Sequence, residues 1–326
     1  MTGPALPVVL VTGAGGFIGS ALCQALAEAG FSVKAGVRRG AGVACDLDRP
    51  EQVAAAMAGV GLVIHAAYGD SAAMARQCET LLAAMAATGV DSLIHFSSIA
   101  VYGAAAGTIV ENRPLGPALD AYGSAKIACE GRVRAWAEAP EHPGRRGLIL
   151  RPGIVYGKGS PFWIEKMGER IRRGAWGTFG ASGEGAAALV HVADVAALVV
   201  AAARAMSGAQ RETLPVLAAV NVAGPELPSW NDYFTALAAR LGVSALPVLD
   251  GAVLKRRQGL ALAAKVWRKL GLPGGEGLAL AATPGEVALF ARRADYRSDA
   301  AERLYGVAPR IGLAEGLGLS LPQAKS

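Results

Sequence analysis

Along the first half of the chain, short apolar runs alternate with longer stretches of helical pattern. The runs Val8–Thr12, Ser32–Val37, Leu62–Ala66, Ser92–Ser97 and Gly147–Arg151 predict strands. The stretches between them, Ile18–Ala29, Pro50–Ala58, Ala72–Thr88 and Tyr122–Ala139, predict helices. Alternation of this kind argues for a parallel sheet covered on both faces, and right-handed crossovers make it doubly wound. The second half is less regular. Val192–Ala205 predicts a helix with Asp194 near its start, and Val216–Val222 a late strand. Ser229–Leu241 predicts a helix that Ser229 caps. Gly251–Gly285 is rich in glycine and alanine and gives no clear pattern.

Composition narrows the class. The chain has 326 residues, 52% hydrophobic and 18% charged, which describes a globular protein with a sizeable core. The longest clean apolar stretch, Val195–Ala203, is too short to span a bilayer. The N-terminus has no basic region ahead of its first apolar run, so no signal peptide is expected. Cys23, Cys45, Cys78 and Cys129 show no paired spacing, which favours reduced thiols in the cytoplasm. The four histidines are scattered, with no metal spacing among them, and no metal is expected. The net charge of +6 comes from arginines spread along the chain, with no nucleic-acid motif, so no nucleic-acid partner is expected.

The first strand runs into VVLVTGAGGFIG. Gly13 permits a tight turn, Gly16 lets the backbone approach a pyrophosphate, and Gly19 lets helix and strand pack. With Phe17 and Ile18 they form a candidate phosphate site at a helix N-terminus. The fold class is therefore α/β, a Rossmann-like doubly wound parallel sheet with a smaller, mixed C-terminal substrate domain. Expected boundaries are 1–155 for the nucleotide domain, with 187–224 returning to it. Residues 156–186 and 225–326 are left for substrate binding.

A second constellation follows. YGSAK places Tyr122 and Lys126 one helical turn apart on one face, and FSSIAVYG places Ser97 and Ser98 at the end of the preceding strand. A phenol beside a fixed ammonium ion is expected to have a lowered pKa, which suits a general acid or base.

Together these motifs resemble the extended branch of the short-chain dehydrogenase/reductases, the NAD-dependent epimerase/dehydratase family. The resemblance extends through HAA (65–67), RPGIVYG (151–157), HVADV (191–195) and the C-terminal SDAAERLYGVAPRIGLAEGL. It implies that Tyr122 exchanges a proton with substrate and that Lys126 holds the nicotinamide ribose. Ser98, aligned on VYG, would hydrogen-bond the substrate oxygen. Ala66, Ala67 and Pro152 would line the cofactor, and Asp46 and Leu47 would flank its adenine. A homodimer is a family expectation. One departure stands out: Met74 occupies the position where the family often has an asparagine that supports the tyrosine helix.

VRRG at 37–40 bears on the cofactor. Arg38 lies where a dinucleotide fold senses the ribose; an acid there accepts from a 2′-hydroxyl, whereas a guanidinium offers a fork to a 2′-phosphate. Arg38, assisted by Arg39 or Lys34, therefore points to NADP. The alternative is NAD, with one arginine stacked on adenine and the other solvated.

The family's chemistries separate in part. Ile99 and Ala100 stand where sugar dehydratases carry acid/base carboxylates, which argues against dehydration. Ala187 stands where nucleotide-sugar epimerases hold a diphosphate with arginine; Arg172, Arg173, Arg292 or Arg293 would have to substitute. What remains is reversible hydride transfer between NADP(H) and a secondary alcohol or ketone. The C-terminal sequence resembles 3β-hydroxysteroid dehydrogenase and dihydroflavonol reductase-like members, which implies a relatively apolar small-molecule substrate. An NAD-dependent epimerase is the alternative, and a non-catalytic NADP sensor a weaker one. Phe162, Trp163, Trp176 and Phe179 are candidates for pocket or core. Lys255–Gly271 has six basic residues and no acid, with Leu260, Ala263, Trp267 and Leu270 at helical spacing. A domain helix is the plainer reading, and contact with an anionic membrane surface the other.

Overall fold

The structure, a computed structural model, describes residues 6–269 and 281–321, without the side chains of 261–269. Seven parallel strands form the central sheet: β1 (Val8–Thr12), β2 (Ser32–Val37), β3 (Val43–Ala44), β4 (Val60–His65), β5 (Ser92–Phe96), β7 (Arg146–Pro152) and β10 (Leu217–Val222). Their spatial order is β10-β7-β5-β4-β1-β2-β3. The order reverses between β1 and β4, and the crevice beyond their C-terminal ends is where such sheets bind nucleotides. The near-continuous apolar runs follow from burial on both faces; every residue of β5 is buried. Each fully buried Val or Leu contributes roughly 1.5–3 kcal/mol relative to exposure.

Two helical layers cover the sheet. On one face α1 (Phe17–Glu28) and α6 (Val192–Ser207) pack over Val9, Val11, Ile64 and Ile94. On the other, α2 (Pro50–Ala56), α3 (Ser71–Thr88) and α4 (Ala121–Ala137) pack over Leu10, Val63 and Leu93. The two lists alternate along β1, β4 and β5, as the period of a strand requires. Asp70 caps α3 by accepting from the Ala72 amide at 3.1 Å, and Gly89 ends it in the left-handed region (φ 70°). Asp120 caps α4 from the Gly123 amide at 2.7 Å and so fixes the turn that carries Tyr122.

The predicted strands and helices of the first half appear, β1 and β2 with the predicted bounds and the others with shifts of one or two residues. β4 begins earlier and ends at His65, which places Ala66 and Ala67 in the loop above the sheet. Ser229 caps α7 (Trp230–Arg240) in a capping box with Asp232. The three-residue strands β6 (Gly107–Ile109), β8 (Ile154–Tyr156), β9 (Leu189–His191) and β11 (Ala294–Tyr296) were not expected, being too short to show a period. They pair as β6 with β11 and β8 with β9. The pattern-poor stretch contains α8 (Gly251–Lys269). Leu260 on α8 is exposed. The side chains of Ala263 and Trp267, and all of Leu270, lie outside the described residues.

Trp176, Phe179, Trp230, Phe234 and Phe290 pack into one buried aromatic cluster, with ring centres 4.7–6.0 Å apart among the contacting pairs. Trp176 and Phe179 are therefore core. Trp163 rests half-buried against Trp230, and Phe162 is exposed. No helix among the described residues is long and apolar enough to cross a membrane.

Candidate active site and cofactor cleft

The phosphate loop joins β1 to α1 at the topological switch point. Gly13 has φ 72°, and a Cβ there would meet the Ala67 Cα at 2.6 Å, so the loop lies directly against the turn after β4. A Cβ on Gly19 would meet the Gly13 carbonyl oxygen at 2.1 Å, which is the close helix–strand approach that the third glycine allows. Gly15 and Gly16 are exposed, and Gly16 starts α1 without any side-chain cap. The first amides of α1, including those of Phe17 and Ile18, are thus left for an anionic ligand. Gly13→Ala should cost roughly 1–3 kcal/mol through backbone strain and abolish the extra thermal stability that added dinucleotide confers; melting curves with and without cofactor test this.

Arg38 and Arg39 are exposed just past β2, beside the loop, and among the described residues neither has an ion-pair partner. The nearby carboxylate of Asp48 is taken by Arg76 at 2.8 Å and by Gln77 at 3.0 Å. Lys34 does not join the arginines: its ammonium donates to the Ala58 carbonyl at 2.5 Å. Asp46 and Leu47 follow β3 at the same edge, with Leu47 buried. Pro152 ends β7, also buried.

Ser98, Tyr122 and Lys126 come together beyond the ends of β4 and β5. The two serines part company because successive residues face opposite ways. Ser97 is buried and donates to Glu130 at 2.5 Å, whereas Ser98 is half-buried, accepts from the Ala100 amide at 3.1 Å and lies beside the Tyr122 phenol. The Lys126 ammonium lies 5.7 Å from the centre of the Tyr122 ring, is buried, and donates to the Phe96 carbonyl at 2.6 Å. The lowered tyrosine pKa expected from sequence is not found. Burial raises the Tyr122 pKa above the usual phenol value; the neighbouring Ser98 hydroxyl pulls the other way, and Tyr68 and Asp120 add to the rise. Burial also lowers the Lys126 pKa. The phenol is therefore held protonated, ready to donate. Tyr68, largely exposed, sits edge-on to it with ring centres 5.7 Å apart.

Behind the site lies a buried network that sequence reading missed. Arg151 forks onto Glu130 at 3.0 and 2.7 Å and donates to the Tyr102 hydroxyl at 2.7 Å. Tyr102 donates to Asn221 at 2.7 Å. Glu130 thereby ties the tyrosine helix to β7 and to Ser97. Met74 is buried, and its backbone carbonyl accepts from the Cys129 thiol. His191 caps α6, its Nδ1 accepting from the Ala193 amide at 3.3 Å. Ala187 is fully buried; Arg172 and Arg173 are exposed, with Arg173 paired to Glu169.

The described site has the parts of a dinucleotide-dependent enzyme, and comparison with known proteins agrees. The chain is 33% identical over 189 residues to the 2-alkyl-3-oxoalkanoate reductase of Stenotrophomonas maltophilia (strain K279a), covering 51% of this chain and 56% of that protein. It is 30% identical over 189 residues to the enzyme of the same name from Shewanella oneidensis, covering 50% and 49%. The matched region spans about half the length of these curated relatives. Among solved structures, UDP-glucose 4-epimerase with UDP-glucose from Thermotoga maritima superposes with a TM-score of 0.72 at 21% identity, over 96% of this chain and 97% of that one. MoeE5 in complex with UDP-glucuronic acid and NAD gives 0.70 at 24%, over 96% and 97%. At these identities the structures establish a shared fold. The model of the NAD dependent epimerase/dehydratase family matches residues 9–222, and the chain belongs to that family.

Proposed function

We propose that this chain is an NADP(H)-dependent oxidoreductase acting on a secondary alcohol or ketone of a relatively apolar small molecule. The observation that carries the cofactor choice is the pair of exposed guanidinium groups, Arg38 and Arg39, at the ribose-sensing end of β2, neither with an ion-pair partner among the described residues. A guanidinium fork matches a 2′-phosphate in charge and geometry. The residues present fit the dinucleotide: a glycine cradle that a Cβ would fill, an uncapped helix N-terminus and free cations at the edge. Bound there, the nicotinamide would supply or accept the hydride. Ser98 orients the substrate oxygen, Tyr122 gives or takes its proton, and Lys126 positions the ribose while held by the Phe96 carbonyl. Residues 156–186 and 225–326 form the substrate side.

The curated relatives' name makes branched 3-oxo acids the first compounds to test. Support for reduction over epimerisation comes from Ala187, an uncharged residue where an epimerase carries its diphosphate-clamping arginine; Arg292, whose carbonyl accepts from the Ala186 amide at 2.8 Å, is the neighbouring residue that would have to substitute.

The experiment is a fluorescence titration of cofactor-stripped protein with NADPH and NADH, repeated with Arg38→Ala. Charge-assisted hydrogen bonds of ~1.5–3 kcal/mol predict that the variant loses about tenfold to a hundredfold of NADPH affinity and leaves NADH unchanged. Equal binding of NADH and NADPH by the wild type, or NAD that cannot be stripped, would instead favour the epimerase.

A further inference from the structure

His65 closes β4 and His95 is its register partner on β5, so the two project from the same face of the sheet. Their rings lie 5.1 Å apart, and α3 brings Cys78 over them. One ligand atom from each of the three residues lies within 4.8 Å of the others, and all three residues are buried. The sequence concealed this cluster, because no metal spacing links positions that only strand pairing brings together.

His95 points to an occupant. It is 1% exposed, yet neither ring nitrogen has a hydrogen-bond partner among the described residues. A buried polar group left unpaired is costly, and such a group asks for an explanation. His65 is arranged as a ligand would be: its Nδ1 meets the Thr12 hydroxyl at 2.8 Å, which leaves Nε2 to present a lone pair when Thr12 accepts. Cys129 stands apart from this set, its thiol donating to the Met74 carbonyl. Two imidazoles and one thiol supply three of the nitrogen and sulfur donors that zinc takes, and the fourth position is left to a water. The Cys78 thiolate would offset part of the charge of a divalent ion. Bonds of about 2.0–2.3 Å require only that the ligand atoms draw closer together.

We propose that His65, His95 and Cys78 form a buried site for a thiophilic divalent cation, zinc in the first instance, which fastens α3 to the sheet beneath the active site. The test uses the full chain from zinc-supplemented culture, dialysed and analysed for metal, and a parallel cobalt reconstitution. The expected result is about one zinc per chain, as a single site requires. A thiolate-to-cobalt absorption band should appear in the wild type and vanish in Cys78→Ser. His95→Leu separates the two cases by sign. If the cluster holds no metal, the change replaces an unpaired imidazole by an apolar group and should leave the melting temperature unchanged or raise it. If it holds zinc, metal content and melting temperature both fall. Wild-type protein that neither retains zinc nor gives the cobalt band overturns the proposal, as does a His95→Leu variant at least as stable as wild type. Should His95→Leu fail to fold, the wild-type metal content and cobalt spectrum decide alone. None of these readouts depends on the proposed reductase activity.

Discussion

Tyr122→Phe should lower kcat for ketone reduction by about 10²–10⁴-fold, the usual worth of a positioned general acid, while NADPH binds as before. The ring that packs edge-on against Tyr68 remains, and only the proton donor is removed. Stopped-flow or steady-state rates beside a cofactor titration measure both quantities. The wild-type pH profile follows from the same residue. Reduction needs the protonated phenol, and burial raises its pKa above the usual value. In the reductive direction kcat/KM should therefore stay level through neutral pH and fall as pH rises through that raised value. Undiminished turnover by the Phe variant would remove Tyr122 from the mechanism and reopen the sensor alternative.

Glu130→Ala should destabilise the chain by roughly 3–5 kcal/mol, the cost of leaving one member of a buried ion pair without its partner. Both side chains are almost fully enclosed, at 3% and 4% exposure, so solvent screening offers the stranded Arg151 little relief. Ser97 loses its acceptor as well. Urea unfolding measures the effect. A double change, Glu130→Leu with Arg151→Met, should recover much of the loss, because removing both charges also removes the desolvation penalty. The double variant should still show reduced kcat, since Glu130 links the tyrosine helix to β7 and to the loop that carries Ser98. A Glu130→Ala variant with near wild-type stability would mean that water reaches the pair.

Sequence and structure each settled different things. Strands β1 and β2 were readable to the residue, because continuous apolar runs follow from burial on both faces of a parallel sheet. The glycine loop was readable because its demand is local: a tight turn and a close approach need residues without side chains at fixed positions. Tyr122 and Lys126 were readable because helical periodicity alone places them on one face. The choice of Ser98 over Ser97 rested on resemblance; the structure separates the two, because strand alternation turns Ser97 inward to Glu130.

What sequence could not supply depends on contacts between distant segments. Tyr102 and Asn221, 119 positions apart, meet because β10 joins the sheet beside β7. The Tyr122 pKa moved opposite to the expectation because proximity in sequence to Lys126 says nothing about desolvation, which is set by everything packed around the phenol. His65, His95 and Cys78 converge through strand register and helix packing, neither of which leaves a spacing in the chain. The sequence by itself determined the main strands and helices of the first half, the glycine loop and the shared face of Tyr122 and Lys126, since each follows from local periodicity or local sterics. Only the tertiary structure decided which buried polar groups find partners and which are left alone, because burial and pairing are properties of the assembled packing.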